Sequence, residues 1–141
     1  MDVYSIAIRL STTAIDHAEL SYDEESEPCI LSFTHRDQTI SVEASDYFEA
    51  LCQIRLQLEA QQIQLLCYGA SKNVYPSGMA RDMGQGLRAY KLIMGKHATM
   101  ADLVDIFATG TDIQPVTVEE QRRFYETWLT NPKMGIDRHP S

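Results

Sequence analysis

The segment from residue 69 to 86 contains the residue types that could do chemistry. Four of the seven glycines lie within it, and Pro76 adds a further turn signal. Exposed backbone N–H groups on a glycine-rich loop can hold an anion, with help from cationic and hydroxyl side chains. The candidate side chains on this loop are Lys72, Tyr75, Ser77 and Arg81. The pattern leaves three uses open: a connection that covers the sheet edge, a partner-binding loop, or a site for an anionic ligand.

A reaction at this loop would also need a group that moves a proton, and the local candidates are Asp82 and His97. No motif identifies a catalytic residue. Gly84-Gln85-Gly86 does not continue as a dinucleotide-binding motif, and His35-Arg36-Asp37 lacks every companion motif of a kinase. The four histidines lack metal-ligand spacing. We therefore predict neither a metal nor a cofactor. The alternative function is a small enzyme or anion-binding protein that uses loop 69–86.

The three cysteines, Cys29, Cys52 and Cys67, each lie within an apolar segment and form no CxxC motif. This pattern is typical of reduced core cysteines in a cytoplasmic protein. The alternative is a nucleophilic thiol, for which Cys67 is the best candidate because it ends an apolar run just before a glycine. The first residues lack the pattern of a signal peptide or a membrane span, so we expect a cytoplasmic protein without membrane association.

Charge is distributed unevenly along the chain, whose net charge is −8. Residues 1–60 contain 12 acidic and 3 basic side chains, whereas Lys72–Lys96 contains five basic residues and a single acidic one. A binder of nucleic acid through its whole surface is excluded by the acidic balance. The densest acidic cluster consists of Asp23, Glu24, Glu25 and Glu27. Such asymmetry indicates an interaction surface, with a solvated face as the alternative, and these four residues are the predicted partner-binding residues.

The first third of the chain alternates between apolar and polar residues, as half-buried strands do. Strands are predicted at 3–10, 14–22, 29–34 and 39–42, joined as an antiparallel meander. A shorter apolar run at 63–68 predicts a fifth strand. Residues 87–94 fit a strand or a helix, and Gly95 directly after them favours the strand.

Helices are predicted at about 45–60, 99–109 and 117–130. Ser45 is the expected N-cap of the first, and Thr99 and Thr117 begin capping-box patterns for the other two. The large apolar residues expected to form most of the core are Phe48, Leu51, Leu58, Leu103, Phe107, Phe124 and Trp128.

These elements predict one α+β domain over residues 1–132: a mostly antiparallel sheet of five or six strands with about three helices packed on one face. Residues 133–141 have little to bury, and we expect a loosely held tail.

Three segments carry a resemblance to a known class of protein: Cys67–Met79, Ala89–Leu92 and Asp102–Phe107. Over roughly residues 65 to 130 the chain is similar to short bacterial proteins of toxin loci. It resembles the immunity proteins of polymorphic-toxin and contact-dependent inhibition systems. The resemblance implies a protein that binds and neutralises a cognate toxin domain, many of which are basic nucleases. It carries over no functional residue, and a homo-oligomer is also compatible with the sequence.

Overall fold

The alternating segments at the start of the chain form an antiparallel meander, as predicted. In the computed structural model, which describes residues 1–25 and 27–131, the strands are β1 (Asp2–Arg9), β2 (Ile15–Tyr22), β3 (Cys29–His35) and β4 (Gln38–Ala44). A fifth strand, β5 (Gln64–Leu65), extends the sheet in the order β4-β3-β2-β1-β5. Leu20 pairs with Phe33, which pairs with Ile40, and all three are buried. One face of the sheet therefore belongs to the core.

Helix α1 (Tyr47–Glu59) covers that face, and it begins one residue later than expected. Its N-cap is Asp46, not Ser45, because the Asp46 carboxylate reaches the helix and accepts a hydrogen bond from the Glu49 backbone N–H at 2.7 Å. The buried side of α1 includes Phe48 and Leu51, as the periodicity predicted.

The apolar run at 63–68 forms less strand than predicted. Within this run only Gln64–Leu65 is a strand, β5, which pairs with β1 and places Leu65 opposite Ile8. The chain then turns into a short 3-10 segment over Tyr68–Ala70. Leu66 and Cys67 follow β5 outside any strand, and of these two Cys67 is buried in the core.

A second sheet, which the sequence did not predict as a separate unit, contains β6 (Val74–Tyr75), β7 (Arg88–Lys91) and β8 (Leu103–Asp105) in that order. The ambiguous segment 87–94 thus contains a strand, as favoured. The predicted helix at 99–109 is wrong. Thr99 does begin a capping box, but the helical part is a 3-10 turn over Met100–Asp102. The chain then extends as β8 because its backbone pairs with β7.

Two further helices complete the α+β fold. They are α2 (Gly78–Met83) and α3 (Val118–Leu129), and the capping box predicted at Thr117 and Glu120 is present at the start of α3. The α+β fold class is confirmed. Of the three predicted helices, those at 45–60 and 117–130 are present, whereas the helix at 99–109 is absent and a short helix, α2, lies earlier in the chain. Five of the expected core residues are buried (Phe48, Leu51, Leu58, Phe107 and Trp128), and two are partly exposed (Leu103 and Phe124). The predicted tail at 133–141 lies outside the described residues.

Candidate functional site

The first part of the glycine-rich loop is held by a buried polar network. The Gln121 side-chain amide of α3 lies 2.9 Å from the Gly69 carbonyl, 3.0 Å from that of Ser71 and 2.9 Å from that of Val74. The Arg55 guanidinium of α1 donates to the Gly69 carbonyl at 3.1 Å and to the Gln121 side-chain oxygen. Residues 69–74 are therefore fixed between α1 and α3, which is a structural role for this part of the loop.

The last part of the loop packs against the beginning of α1. The Tyr47 backbone N–H donates to the Gln85 carbonyl at 2.8 Å. Gly86 has a φ of +70°, and a Cβ there would lie 2.8 Å from the Asp46 carboxylate. Only glycine allows both this backbone conformation and this close approach. Gly86 therefore serves the contact with α1.

Arg81, the central cation of the loop, is already engaged with carboxylates. Its Nε lies 3.2 Å from Asp46 Oδ2, although their alignment does not make a hydrogen bond, and its Nη2 lies 3.6 Å from Glu49. The guanidinium also lies over the Phe48 ring, 5.2 Å from its centroid. An anionic ligand at Arg81 would have to compete with two carboxylates of the protein itself.

The other predicted loop residues contact different neighbours. Lys72 lies over the Phe124 ring of α3, 5.8 Å from its centroid. Ser77 is the N-cap of α2, where its hydroxyl accepts from the Ala80 N–H at 3.0 Å. Tyr75 stacks on Tyr125 with 4.1 Å between the ring centroids. The structure thus gives each of these side chains a packing or capping contact and places Lys72 and Arg81 beside different helices.

The two proton-transfer candidates, Asp82 and His97, lie in different surroundings. Asp82 is exposed on α2. His97 lines an aromatic cleft of about 310 Å³ together with Tyr75 and Trp128. Among residues 1–25 and 27–131, no group of three His, Cys, Asp or Glu side chains could hold a metal ion.

The cysteines are buried and free, as the sequence predicted. Burial raises the pKa of the Cys67 thiol to about 11, against a smaller opposing effect of Arg55. Burial likewise raises the pKa of Cys52 to about 11. Because a thiol with such a pKa stays protonated at neutral pH, the environment of Cys67 is that of a core residue and not of a nucleophile.

A second polar cluster joins β2 to the turn after β3. The His35 Nε2 and Arg36 Nη2 atoms each lie 2.9 Å from Asp16 Oδ2. The hydrogen bond with His35, with help from the His17 backbone N–H and the Arg36 charge, lowers the pKa of Asp16 to about 2. His35 and Arg36 of the His35-Arg36-Asp37 motif therefore serve this contact with β2.

The predicted partner-binding residues lie on an exposed turn between β2 and β3, which we call the acidic turn (Asp23, Glu24, Glu25 and Glu27). Its start is fixed, since the Asp23 carbonyl accepts a hydrogen bond from the Tyr47 hydroxyl at 3.0 Å and the Asp23 carboxylate accepts one from the Glu25 N–H at 3.1 Å. None of the four carboxylates forms an ion pair with another residue in the described parts of the chain. The turn therefore presents to solvent four carboxylates that have no ion-pair partner among residues 1–25 and 27–131.

In comparisons with known proteins, no family model and no curated protein matches the chain. No described helix has the length and apolar character that a membrane span requires.

Sequence reasoning did not identify the buried pair of Arg55 and Gln121, because polar residues on amphipathic helices are usually on the solvent side. It also assigned no binding role to the exposed methionines Met79, Met83 and Met100. The i, i+4 spacing of Met79 and Met83, in a short segment between turn signals, was the feature of the sequence that could have indicated a shared helix face.

Proposed function

We propose that this chain is a cytoplasmic immunity protein, which binds a cognate bacterial toxin domain and neutralises it by contact, without a reaction of its own. The observation that carries the proposal is the acidic turn, where four exposed carboxylates lack an ion-pair partner within the described residues. The resemblance of residues 65–130 to immunity proteins of toxin loci is in accord with it.

The acidic turn favours a basic protein as the partner. Its four charges lie within five residues of chain, so they act together on an approaching cation, because the Debye length is about 8 Å at physiological ionic strength. A charge cluster of this kind steers a basic partner and raises its association rate by about 10–1,000-fold. A nuclease domain, which must itself bind an anionic substrate, is a partner of the right charge.

The contacts of the glycine-rich loop favour binding over catalysis. Arg81 faces Asp46 and Glu49, and the Ser77 hydroxyl is used to cap α2. Lys72 lies over the Phe124 ring of α3. These contacts use the loop's cation and hydroxyl groups within the fold, so an enzyme or anion-binding protein remains the second prediction.

Co-expression with the product of the adjacent gene tests the proposal. That product should arrest growth of a bacterial host when expressed alone, and this chain should restore growth. Replacing the acidic turn by Asp23→Asn, Glu24→Gln, Glu25→Gln and Glu27→Gln should weaken protection, because these substitutions keep the side-chain shape and remove the charge.

A matched control removes charge elsewhere. Glu19→Gln, Asp37→Asn, Glu43→Gln and Glu126→Gln change four exposed acidic residues that lie outside the acidic turn, and this variant should protect as the wild type does. A product that is harmless alone, or that kills equally with and without this chain, contradicts the proposal.

A further inference from the structure

A groove of about 440 Å³ lies between α2, the 3-10 turn at Met100–Asp102 and the second sheet. Its floor is formed by Leu87, Tyr90 and Leu103, and its walls by Met79 and Met83 on one side and Met100 on the other. The volume is within the range of about 300–1,000 Å³ that is typical of binding pockets. The lining is mostly apolar, so the groove suits an apolar occupant.

The three methionines of the groove are unusually exposed. Met79 is 71% exposed, Met83 80% and Met100 75%. Large apolar side chains that cluster on a surface mark interaction sites, whereas single ones are ordinary. Methionine is unbranched and polarisable, and surfaces rich in it re-pack around the apolar side chains of protein partners. The walls of this groove therefore fit a polypeptide.

The charges around the groove indicate the chemistry of that polypeptide. Arg88 is the one charged residue among the described residues that line the groove, and its Nε lies 3.6 Å from Asp105. Asp82, between Met79 and Met83 in the sequence, is exposed and forms no ion pair within residues 1–25 and 27–131. Arg88 is thus paired with a carboxylate, whereas Asp82, which is on α2 but does not line the groove, has no such pair within those residues. The unpaired charge beside the groove is therefore negative, which is complementary to a cation on the partner.

The groove also adjoins the acidic turn. Glu24 lines a small cleft of about 200 Å³ together with Leu87 and Arg88, and the latter two also line the groove. A partner seated in the groove would extend its flanking charges toward Glu24. Glu24 thus connects the acidic turn to the apolar groove through Leu87 and Arg88.

We infer that this groove is the docking site for an amphipathic helix of the partner, with apolar side chains on one face and lysine or arginine beside them. The α2 wall has six residues and is about 9 Å long, so it faces less than two turns of a helix. Apolar side chains at i and i+4, or i and i+3, would enter the groove together. This inference deepens the proposed function and rests on it.

A designed peptide tests the inference directly, whatever the identity of the toxin. The probe is a fluorescently labelled 20-residue peptide of leucine and lysine with leucines at i, i+3, i+4 and i+7, titrated with the full chain and followed by anisotropy. Met79→Gln with Met83→Gln should weaken its binding at least tenfold, because the walls lose apolar contact. Leu56→Gln is the matched control, since Leu56 is 48% exposed on α1 and does not line the groove, and it should bind as the wild type does.

A peptide of the same composition in scrambled order separates the helix face from charge alone. The scrambled peptide should bind at least tenfold more weakly than the ordered one. Equal binding of the two peptides overturns the inference, as does an affinity of the methionine variant for the ordered peptide equal to that of the wild type. If the wild-type chain is a dimer by sedimentation and the methionine variant a monomer, the groove holds a second copy and the inference is also overturned.

The peptide arms also distinguish this inference from the proposed function. An acidic-turn variant, Glu24→Gln with Glu25→Gln, should lower the salt dependence of peptide binding and leave the preference for the ordered peptide intact. One outcome would refute docking in the groove while supporting the acidic turn as the interface. In it, the acidic-turn variant fails to protect cells, whereas the methionine variant binds the peptide and protects cells as the wild type does.

Discussion

Gln121 offers the sharpest test of the way the glycine-rich loop is held. Its side chain is fully buried, donates toward the carbonyls of Gly69, Ser71 and Val74, and accepts from Arg55. The amide has only two hydrogens, so the three carbonyls share them. Gln121→Ala removes all of these contacts and leaves a small cavity between α1, α3 and the loop.

The expected loss follows from those contacts. Neutral hydrogen bonds contribute about 0.5–1.5 kcal/mol each, and bonds to a charged group about 1.5–3 kcal/mol. The Gly69 carbonyl keeps its bond from Arg55, and the Ser71 carbonyl keeps one from the Val74 N–H at 3.2 Å, which limits the damage. We expect Gln121→Ala to lower the free energy of unfolding by about 3–5 kcal/mol, a large share of the roughly 5–15 kcal/mol of an ordinary domain.

Urea unfolding followed by circular dichroism measures this loss. Gln57→Ala is the matched control, because Gln57 is exposed on α1, and it should change the free energy of unfolding by less than about 0.5 kcal/mol. A loss below about 1 kcal/mol for Gln121→Ala would refute the reasoning that this network fixes the loop.

Two further predictions concern stability. Gly69→Ala should lower the melting temperature by several degrees in a thermal scan, because its Cβ would lie 2.5 Å from Leu51 Cδ2, while Gly78→Ala, with nothing within 4 Å of the new Cβ, should not lower it. Asp16 has a pKa lowered to about 2 from 3.8, so its hydrogen bond with His35 stabilises the fold above pH 3.8 and is lost as the pH falls toward 2. The melting temperature of Asp16→Asn should therefore approach that of the wild type between about pH 5 and pH 2, and a difference independent of pH would contradict this assignment.

Local patterns were enough to predict much of the fold. The alternation in β1–β4 and the capping box of α3 depend on residues close in sequence, so they are visible in the sequence by themselves. The span 99–109 was not predictable in this way, because its helical spacing is overridden by pairing of β8 with β7. The N-cap at Asp46 was missed because Ser45 and Asp46 are both good capping residues, and only the contact with Glu49 distinguishes them.

The candidate site was predictable to a smaller extent. The exposure of the acidic turn was foreseeable, since four carboxylates in five residues are costly to bury. The neighbours of the glycine-rich loop were not predictable, because Arg81 contacts Asp46 and Gly69 contacts Gln121 across long separations in the sequence. The groove depends on three segments that converge only in the folded chain.

The association rate of this chain with the product of the adjacent gene tests the central claim most directly. Stopped-flow mixing would compare the wild type with Glu24→Gln/Glu25→Gln, and with Asp37→Asn/Glu126→Gln as a control of equal charge. We predict that the acidic-turn variant associates at least about threefold more slowly at 0.01 M salt, where the Debye length is about 30 Å, with a smaller difference at 0.15 M and little change in dissociation. Equal association rates for the two variants, or no binding by the wild type, would contradict the account.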